Sequence, residues 1–257
     1  MQRGVLFDFD GTLVDTFDGI VAAVQRMRGR VGAAPLLDEE VRPHIGWGVH
    51  NLIGQCHPRL DPLRPKRIPP EGAPLPIDQD EVERGITLFR EEYAKDLIEG
   101  CRVYPGMHEL CWQLARDGFG LAIVSNKPER FTRRIMAGHG LVDPFTVVVA
   151  GDSLPVMKPD PEPLRHAARE LRVAIERCVM VGDSRLDILA AHAAEIPCCA
   201  VAWGIETEAE LTPLGPDRIA RSAQELRGWI DEIAGHDAGR TGSATPRVSG
   251  TGGPCTR

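Results

Sequence analysis

Residues 5–15, near the start of the chain, read VLFDFDGTLVD. A short apolar run ends at two carboxylates, Asp8 and Asp10, and a Gly-Thr turn follows. An apolar run without alternation is typical of a strand in a parallel sheet that is covered on both faces. The two acids either belong to a solvated turn at the end of the strand or form a catalytic site, in which one carboxylate reacts and the other transfers a proton. This stretch alone leaves both interpretations open.

The composition predicts a soluble globular protein. The chain has 257 residues, 42% hydrophobic and 26% charged, which suits one large domain or a domain with a sizeable insertion. It contains no run of about 18 apolar residues, so we expect no membrane span. Its first residues also lack the pattern of a signal peptide.

Charge and cysteine content narrow the partners and the compartment. The net charge of -7 argues against a nucleic-acid partner, because neutralising phosphates requires a basic surface. Seven cysteines are an odd number, and no two of them form a CxxC pair. We therefore expect reduced thiols and a cytoplasmic location.

Further strands and helices alternate along the second half of the chain. Strand candidates follow the first one at 120–125, 146–150, 178–181 and 198–202. Helical patterns lie between or after them at 106–117, 161–172 and 185–195. This alternation predicts a doubly wound, mainly parallel, Rossmann-like α/β sheet, whose ligands bind at the carboxyl ends of the strands.

An all-helical insertion is expected after the first strand. Residues 16–102 show helical patterns and no strand signal. The helical patterns cover 17–30, 38–56 and 78–99. The resulting division is a catalytic core of 1–15 plus 103–234 and a helical cap of 16–102.

Two segments have compositions that do not favour regular structure. Residues 58–76 contain seven prolines in 19 positions, which predicts an extended surface excursion from the cap. Residues 235–257 are rich in Gly, Ser and Thr, and we expect a disordered tail without a catalytic role.

Four of the five predicted strands are followed, at their ends or shortly beyond, by polar residues of types that suit phosphoryl chemistry. One such residue is weak evidence, since a Gly-Asp after a strand is commonly a turn and a lysine before proline is commonly on the surface. Four of them in a parallel sheet meet at one edge, because the carboxyl ends of the strands coincide. The candidates are Asp8 and Asp10, Ser125 and Asn126, Lys158, and Asp183 with Asp187.

The assembled set resembles the haloacid dehalogenase-like hydrolase superfamily over residues 4 to about 205. The matching motifs are DxDGT at 8–12, a strand-ending serine at 125, a lysine at 158 and GDxxxD at 182–187. The helical insertion resembles the cap of that superfamily. Only 32 residues separate Ser125 from Lys158, which leaves no room for the alternative cap position.

The resemblance implies a Mg²⁺ site and a covalent mechanism. Mg²⁺ would be held by Asp8, the backbone carbonyl of Asp10, and Asp183, which fits a hard cation with oxygen ligands. Asp8 would attack phosphorus and form an aspartyl-phosphate, while Asp10 would protonate the leaving alcohol and then deprotonate water. Dehalogenases of this superfamily lack the second Asp of DxD, so Asp10 favours phosphoryl transfer.

The remaining motif residues are expected to bind the transferring group or to orient those that do. Ser125, Asn126 and Lys158 would bind its oxygens. Asp187 would orient Lys158 or a metal-bound water rather than bind the metal directly.

Three stretches resemble the corresponding parts of bacterial phosphoglycolate phosphatases, which makes 2-phosphoglycolate the leading substrate. These stretches are 103–110, 151–164 and 182–191. The substrate's carboxylate needs a cation or an amide nest from the cap, and Arg42, His44 and the GWG turn at 46–48 are candidates. They can equally be helix-start residues and a loop.

Several alternatives stay open. The enzyme can be a phosphatase for a sugar phosphate, a nucleotide or pyrophosphate, or a phosphomutase with the same motifs. A non-catalytic phosphate-binding module is a different class, which the loss of Asp8 or Asp10 would favour, and both are present. The expected partner is a small phosphorylated metabolite, and the chain is expected to be a monomer or a homodimer.

Overall fold

The computed structural model describes residues 2–57 and 79–240, without the side chains of 235–240. In these residues the strands are β1 (Gly4–Phe7), β2 (Val14–Asp15), β3 (Arg102–Val103), β4 (Gly120–Val124), β5 (Val147–Val149), β6 (Cys178–Gly182), β7 (Cys198–Val201) and β8 (Arg218–Ala220).

Helices separate most of these strands. They are α1 (Phe17–Arg30), α2 (Asp38–Val41), α3 (Val49–Cys56), α4 (Gln79–Tyr93), α5 (Met107–Arg116), α6 (Glu129–Gly138), α7 (Glu162–Glu170), α8 (Arg185–Ala194), α9 (Glu208–Leu211) and α10 (Ala223–Arg240). Short 3₁₀ turns lie at Arg42–His44, Ile175–Arg177 and Thr212–Leu214.

Six strands form one parallel sheet in the order β5-β4-β1-β6-β7-β8. In the register, Leu6 of β1 pairs with Ala122 on one side and with Met180 on the other. The chain moves outward from β1 to β4 and β5, and then crosses to β6 on the opposite side. The predicted doubly wound sheet is confirmed, and its topological switch lies beside β1, where such sheets bind ligands.

Both faces of the sheet are covered, which explains the unbroken apolar run of β1. Val5 and Phe7 pack into one buried apolar cluster, which includes the apolar faces of α1, α5 and α10. Leu6 points to the other face and packs with Leu164 of α7 and Ile188 of α8. Neighbouring side chains of a strand point to opposite faces, so each residue of β1 is apolar.

The regular structure of the insertion's described residues is helical up to β3, as predicted, with turns and irregular segments between the helices. Helices α1 and α3 both pack against α4, and Met27, Ile53 and Ile86 are fully buried between them. The antiparallel pair β2–β3 joins Val14 to Val103 at the base of the insertion. This pair lies at the two bounds expected for the cap, 16 and 102, and the division into domains there stays a prediction.

Two predicted helices of the insertion are shorter than expected. The pattern at 38–56 is divided into α2, the 3₁₀ turn and α3, because Gly46 and Gly48 adopt φ values of 92° and 83° that end a helix. The pattern at 78–99 forms α4 only as far as Tyr93. The chain then turns towards α1, where a Cβ on Gly19 would lie 2.9 Å from the carbonyl oxygen of Gly100.

The last helix corrects the expected start of the tail. Helix α10 extends to Arg240, whereas disorder was expected from residue 235. The helix is anchored by the buried Leu226, Trp229 and Ile230, and its backbone bonds continue past them because no proline intervenes. Residues 241–257, and the proline-rich excursion at 58–76, lie outside the described residues.

The six cysteines of the described residues are buried free thiols. Among those residues, none of the helices combines the length and the apolar character needed to cross a membrane.

We expect Leu164→Ala to lower the free energy of unfolding by about 2–5 kcal/mol, because Leu164 is fully buried between α7 and the sheet. Leu189→Ala on α8 is the matched control, and its side chain is 43% exposed. It should change the free energy of unfolding by about 0.5 kcal/mol or less. Urea denaturation measures both, and equal losses would contradict this packing.

Candidate active site

The residues predicted to meet at one edge of the sheet do lie together there. Asp8 and Asp10 follow β1, which is flanked by β4 and β6. A pocket between this edge and the helical insertion is lined, among others, by Asp8, Asp10, Ser125, Asn126 and Lys158. Asp183 and Asp187, after β6, are fully buried beside it.

Lys158 joins two of the acids. Its Nζ lies 2.9 Å from Oδ1 of Asp8 and 2.6 Å from Oδ1 of Asp187. Burial alone would lower the pKa of Lys158, but Asp187 and Asp8 together raise it above its usual value. The lysine therefore stays protonated and places a fixed positive charge at the pocket floor.

Asp187 is held on both of its oxygens. Oδ1 accepts from Lys158, while Oδ2 accepts from the backbone N–H of Ser184 at 3.1 Å and from its hydroxyl at 2.7 Å. Ser184 is the N-cap of α8, so the start of this helix fixes the acid that orients the lysine. The contact with Lys158 matches one of the two roles expected of Asp187 from the sequence, and the role itself stays a prediction.

Asp8, Asp183 and Asp187 form a compact acidic cluster. One oxygen of each carboxylate lies within 4.8 Å of the others. Burial raises the pKa of Asp8 to about 7, with Asp187 adding to the shift and Lys158 opposing it. Burial also raises the pKa of Asp183 well above its usual value, and the charges of Asp8 and Asp187 add to that. Two aspartates thus carry unfavourable charge, which a divalent cation bound to their oxygens would offset.

Asp183 is fixed tightly against the turn that follows β1. Its Oδ1 accepts from the hydroxyl of Thr12 at 2.9 Å, and its Oδ2 from the backbone N–H of Ile205 at 2.7 Å. Gly11 has a φ of 83°, and a Cβ there would lie 2.1 Å from Asp183 Oδ2. The glycine of the DxDGT motif is therefore required both by backbone conformation and by space.

Asp10 has different partners from Asp8. Its carboxylate accepts from the hydroxyl of Thr16 at 2.7 Å, and the Nζ of Lys127 lies 3.0 Å from its Oδ1. Lys127 Nζ also donates to the hydroxyl of Tyr93 at 2.8 Å. The two acids of the opening motif are thus paired with two different lysines.

Lys127, Tyr93 and Thr16 were not predicted from the sequence. Lys127 directly follows Ser125 and Asn126, so its position after a strand was a usable signal, although a lysine before proline resembles a surface residue. Tyr93 carries no such signal, because it comes from the end of α4 in the insertion.

Ser125 and Asn126 follow β4 and are buried in the pocket wall. The Asn126 side-chain NH₂ donates to the carbonyls of Lys158 at 2.8 Å and Gly46 at 3.0 Å. Its Oδ1 accepts from the backbone N–H of Lys158 at 3.0 Å. Both amide hydrogens are therefore in use, which favours a role in positioning Lys158, and phosphate binding by Asn126 stays a prediction.

The candidates for recognising a substrate carboxylate have different surroundings. Arg42 donates to the backbone carbonyls of Gly204 and Ile205 at 2.8–3.0 Å and lies over the ring of Phe17. Arg42 therefore links the insertion to the loop after β7. His44 is buried and lines the pocket, as do Gly46 and Gly48 of the GWG turn.

Comparison with known proteins identifies the family. The model of the haloacid dehalogenase-like hydrolase family matches residues 5–201. The chain belongs to this family. The resemblance read from the four motifs is therefore confirmed, and the roles of individual residues within this hydrolase stay predictions.

Curated relatives and solved structures agree with this placement. The hydrolase is 37% identical over 228 residues to the plasmid phosphoglycolate phosphatase of Cupriavidus necator, covering 86% of this chain and 90% of the relative. It is 35% identical over 230 residues to the phosphoglycolate phosphatase of Nitrosospira multiformis, covering 90% and 96%. The crystal structure of a predicted phosphoglycolate phosphatase from Haemophilus somnus superposes with a TM-score of 0.77 at 25% identity, covering 88% and 96%.

We expect Asn126→Ala to lower the free energy of unfolding by about 1–3 kcal/mol, since it leaves the buried N–H of Lys158 without an acceptor. Gln25→Ala is the matched control, because Gln25 bridges the backbone of Leu36 in the same way at a half-buried position. Its loss should be smaller, as water can replace the amide there. Chemical denaturation measures both, and an equal or larger loss for Gln25→Ala would contradict the positioning role.

Proposed function

We propose that this hydrolase is a Mg²⁺-dependent phosphatase that hydrolyses a small phosphate monoester through an aspartyl-phosphate on Asp8. The observation that carries the proposal is the division of the two acids at one pocket. Asp8 lies with Lys158 and the acidic cluster, whereas Asp10 lies with Lys127 and Thr16. Two carboxylates in different surroundings are suited to two different tasks.

Asp8, Asp183 and the backbone carbonyl of Asp10 would hold Mg²⁺. The fit rests on the donor set, which is all oxygen, and on the raised pKa values of Asp8 and Asp183, which mark charge that needs a cation. When bound, the ion supplies Lewis acidity and neutralises charge on the nucleophile and the phosphoryl oxygens.

In the first half-reaction, a carboxylate oxygen of Asp8 attacks phosphorus while the bond between phosphorus and the ester oxygen breaks. Asp10 gives its proton to the departing oxygen, so an alcohol leaves rather than an alkoxide. Lys158 and the hydroxyl of Ser125 would hold the transferring oxygens. Asp187 and Asn126 keep Lys158 in place through the contacts described above.

In the second half-reaction, water attacks phosphorus and the bond to Asp8 breaks. Asp10 accepts a proton from that water, which restores its acidic form, and Asp8 is released as a carboxylate. The products are the alcohol and inorganic phosphate. This reaction class is a phosphoric monoester hydrolase.

The substrate that we propose is 2-phosphoglycolate, which gives glycolate and phosphate. The names of relatives at 32–37% identity over most of the chain support this choice. A sugar phosphate, a nucleotide or pyrophosphate would require the same core chemistry, and a phosphomutase would return a product that keeps its phosphate. The buried free thiols support the expected cytoplasmic location.

The proposed substrate is tested by a phosphate-release screen of the purified protein. The screen compares kcat/KM for 2-phosphoglycolate, sugar phosphates, nucleotides and pyrophosphate. We expect 2-phosphoglycolate to rank first. A poor rank would contradict this substrate and leave the reaction class standing.

We expect Asp8→Asn to lower kcat by at least about 10³-fold, because the amide cannot act as the nucleophile. Asp143→Asn is the matched control, since Asp143 is exposed and lies outside the pocket lining. It should retain full activity. Steady-state phosphate release measures both, and robust turnover by Asp8→Asn would refute the assignment of the nucleophile.

Removal of divalent metal with a chelator should reduce phosphate release to background, because Lys158 alone offsets only part of the negative charge of the buried acidic cluster. Addition of Mg²⁺ in excess should restore the original rate. Circular dichroism before and after chelation controls for unfolding. Undiminished turnover in the chelator would contradict the proposed metal dependence.

A further inference from the structure

The helical insertion and the sheet together place one lysine beside the proton-transferring acid, and none of the four motifs includes it. Lys127 is 7% exposed, and it lines the same pocket as Asp8 and Asp10. A lysine is rarely buried to this extent unless its charge has a partner or a task. Its position and contacts point to a task in substrate recognition.

The two lysines of the pocket lie on different sides of the reaction. Lys158 lies between Asp8 and Asp187, at the nucleophile. Lys127 lies at Asp10, the acid that would protonate the departing oxygen. One cation therefore faces the phosphoryl group, and the other faces the leaving group.

The rest of the wall near the leaving-group side is largely apolar. It includes Ile20, Leu52, Phe89 and Phe131, which offer no compensation for a negative charge. In the described residues the basic side chains that line this pocket are Lys127, Lys158 and His44. An anionic group on the departing alcohol therefore has Lys127 as its nearest fixed cation on this side.

Distances restrict how far that anionic group can be from the ester oxygen. Asp10 has to reach the ester oxygen at a hydrogen-bond length, and Lys127 Nζ lies 3.0 Å from the same carboxylate. Two hydrogen-bond lengths of about 3 Å each place the ester oxygen within roughly 6 Å of Nζ. A carboxylate that is joined to the ester oxygen through a single carbon fits within this span, whereas a distant charge on a long chain does not.

Tyr93 holds the lysine in this position from the insertion. Its hydroxyl accepts from Lys127 Nζ at 2.8 Å, and the ammonium lies 4.7 Å from the centre of its ring. The ring itself stacks on Phe89 and meets Phe131 edge-on. Burial raises the pKa of Tyr93 well above its usual value, so the phenol stays neutral and leaves the lysine charge intact.

The ammonium keeps capacity for a ligand. It has three N–H donors, and in the described residues Asp10 and Tyr93 are its hydrogen-bond partners. Two of its contacts go to the same carboxylate, at 3.0 Å to Oδ1 and 3.2 Å to Oδ2 of Asp10, so a substrate carboxylate in the pocket can compete for one of these donors. Lys127 also faces a single carboxylate, whereas Lys158 lies between two.

We propose that Lys127, held by Tyr93, is the specificity-determining residue that binds a carboxylate on the carbon next to the scissile ester oxygen. The inference rests on the proposed function and deepens it. It assigns the preferred substrates to the class of short 2-phospho-carboxylic acids. It also gives a reason for the arrangement in which Lys127 follows a strand of the sheet while Tyr93, which holds it, comes from the insertion.

The test compares two phosphate esters that differ only in the group attached to the carbon that carries the ester oxygen. These are 2-phosphoglycolate and 2-hydroxyethyl phosphate, which has a neutral hydroxymethyl group in place of the carboxylate. We expect the unmodified enzyme to prefer 2-phosphoglycolate. Lys127→Met should lower kcat/KM for 2-phosphoglycolate at least about 30-fold more than for the neutral ester, the effect of losing one partner of a buried charge pair.

Three further variants make the result specific. Lys95→Met removes an exposed lysine that pairs with Glu92 away from the pocket, and it should change neither rate. Lys127→Arg keeps the charge and should recover part of the preference for the carboxylate. His44→Gln should retain most of it, because His44 is not the proposed cation.

Several outcomes would overturn the inference. If Lys127→Met lowers kcat/KM equally for both esters, the lysine acts only through Asp10 and does not bind the substrate carboxylate. A larger carboxylate-specific loss in His44→Gln would assign recognition to the histidine. If the unmodified enzyme does not prefer 2-phosphoglycolate over 2-hydroxyethyl phosphate, it does not recognise the carboxylate, and the inference is wrong.

A binding measurement separates this inference from the proposed reaction. Calorimetry with Asp8→Asn measures the affinity for each ester without turnover, and Asp8→Asn/Lys127→Met should lose at least about 30-fold in affinity for 2-phosphoglycolate alone. Lys127-dependent binding without hydrolysis by the unmodified enzyme would support the inference and refute the proposed function. Hydrolysis with binding that is independent of Lys127 would do the reverse.

Discussion

The structure depends on how four buried carboxylates are compensated at the end of one central strand. Asp8, Asp10, Asp183 and Asp187 lie out of water or nearly so, and carboxylates there are costly unless charge or hydrogen bonds offset them. Lys158 compensates Asp8 and Asp187, Lys127 compensates Asp10, and Thr12 and the Ile205 amide hold Asp183. The remaining negative charge is what a divalent cation would neutralise.

The parallel sheet makes this arrangement possible. Strand β1 is central, and β4 and β6 are its neighbours, so three strand ends deliver their polar residues to one point. Apolar packing on both faces of the sheet keeps water away from its strands, and the helical insertion lines the side of the pocket opposite the strand ends. Contacts such as Asn126 to the Gly46 carbonyl and Arg42 to the Ile205 carbonyl join the two halves across the pocket. The sheet and the insertion therefore both line the pocket that contains Asp8 and Asp10.

The strands of the sheet and the acids at their ends were largely predictable from the sequence, because each is marked by a short local pattern of residues. The unbroken apolar run of β1 predicted a strand covered on both faces, and the polar residues after four strands predicted their meeting. The edge strand β8 was missed, since Arg218–Ala220 has only three residues and no apolar run. The helix breaks at Gly46 and Gly48 follow from backbone conformations that a pattern of apolar residues does not reveal.

The partner of Asp10 was missed for a different reason. Lys127 is separated from Asp10 by 117 positions, and the sequence does not tell whether a side chain just past a strand turns to the pocket or to solvent. Tyr93 reaches it from a helix whose orientation depends on packing against α1 and α3. Sequence motifs thus predicted the acids of the site, and tertiary packing decided what surrounds them.

The separate tasks of Asp8 and Asp10 can be tested by trapping the phosphorylated enzyme. The Asp10→Asn variant is mixed with 4-nitrophenyl phosphate, whose leaving group needs no proton, then quenched in acid and digested for mass spectrometry. We expect a phosphoryl group to accumulate on Asp8, because the water of the second half-reaction has lost its base. A phosphoryl group on another residue, or release of nitrophenol with no phosphorylated peptide, would contradict it.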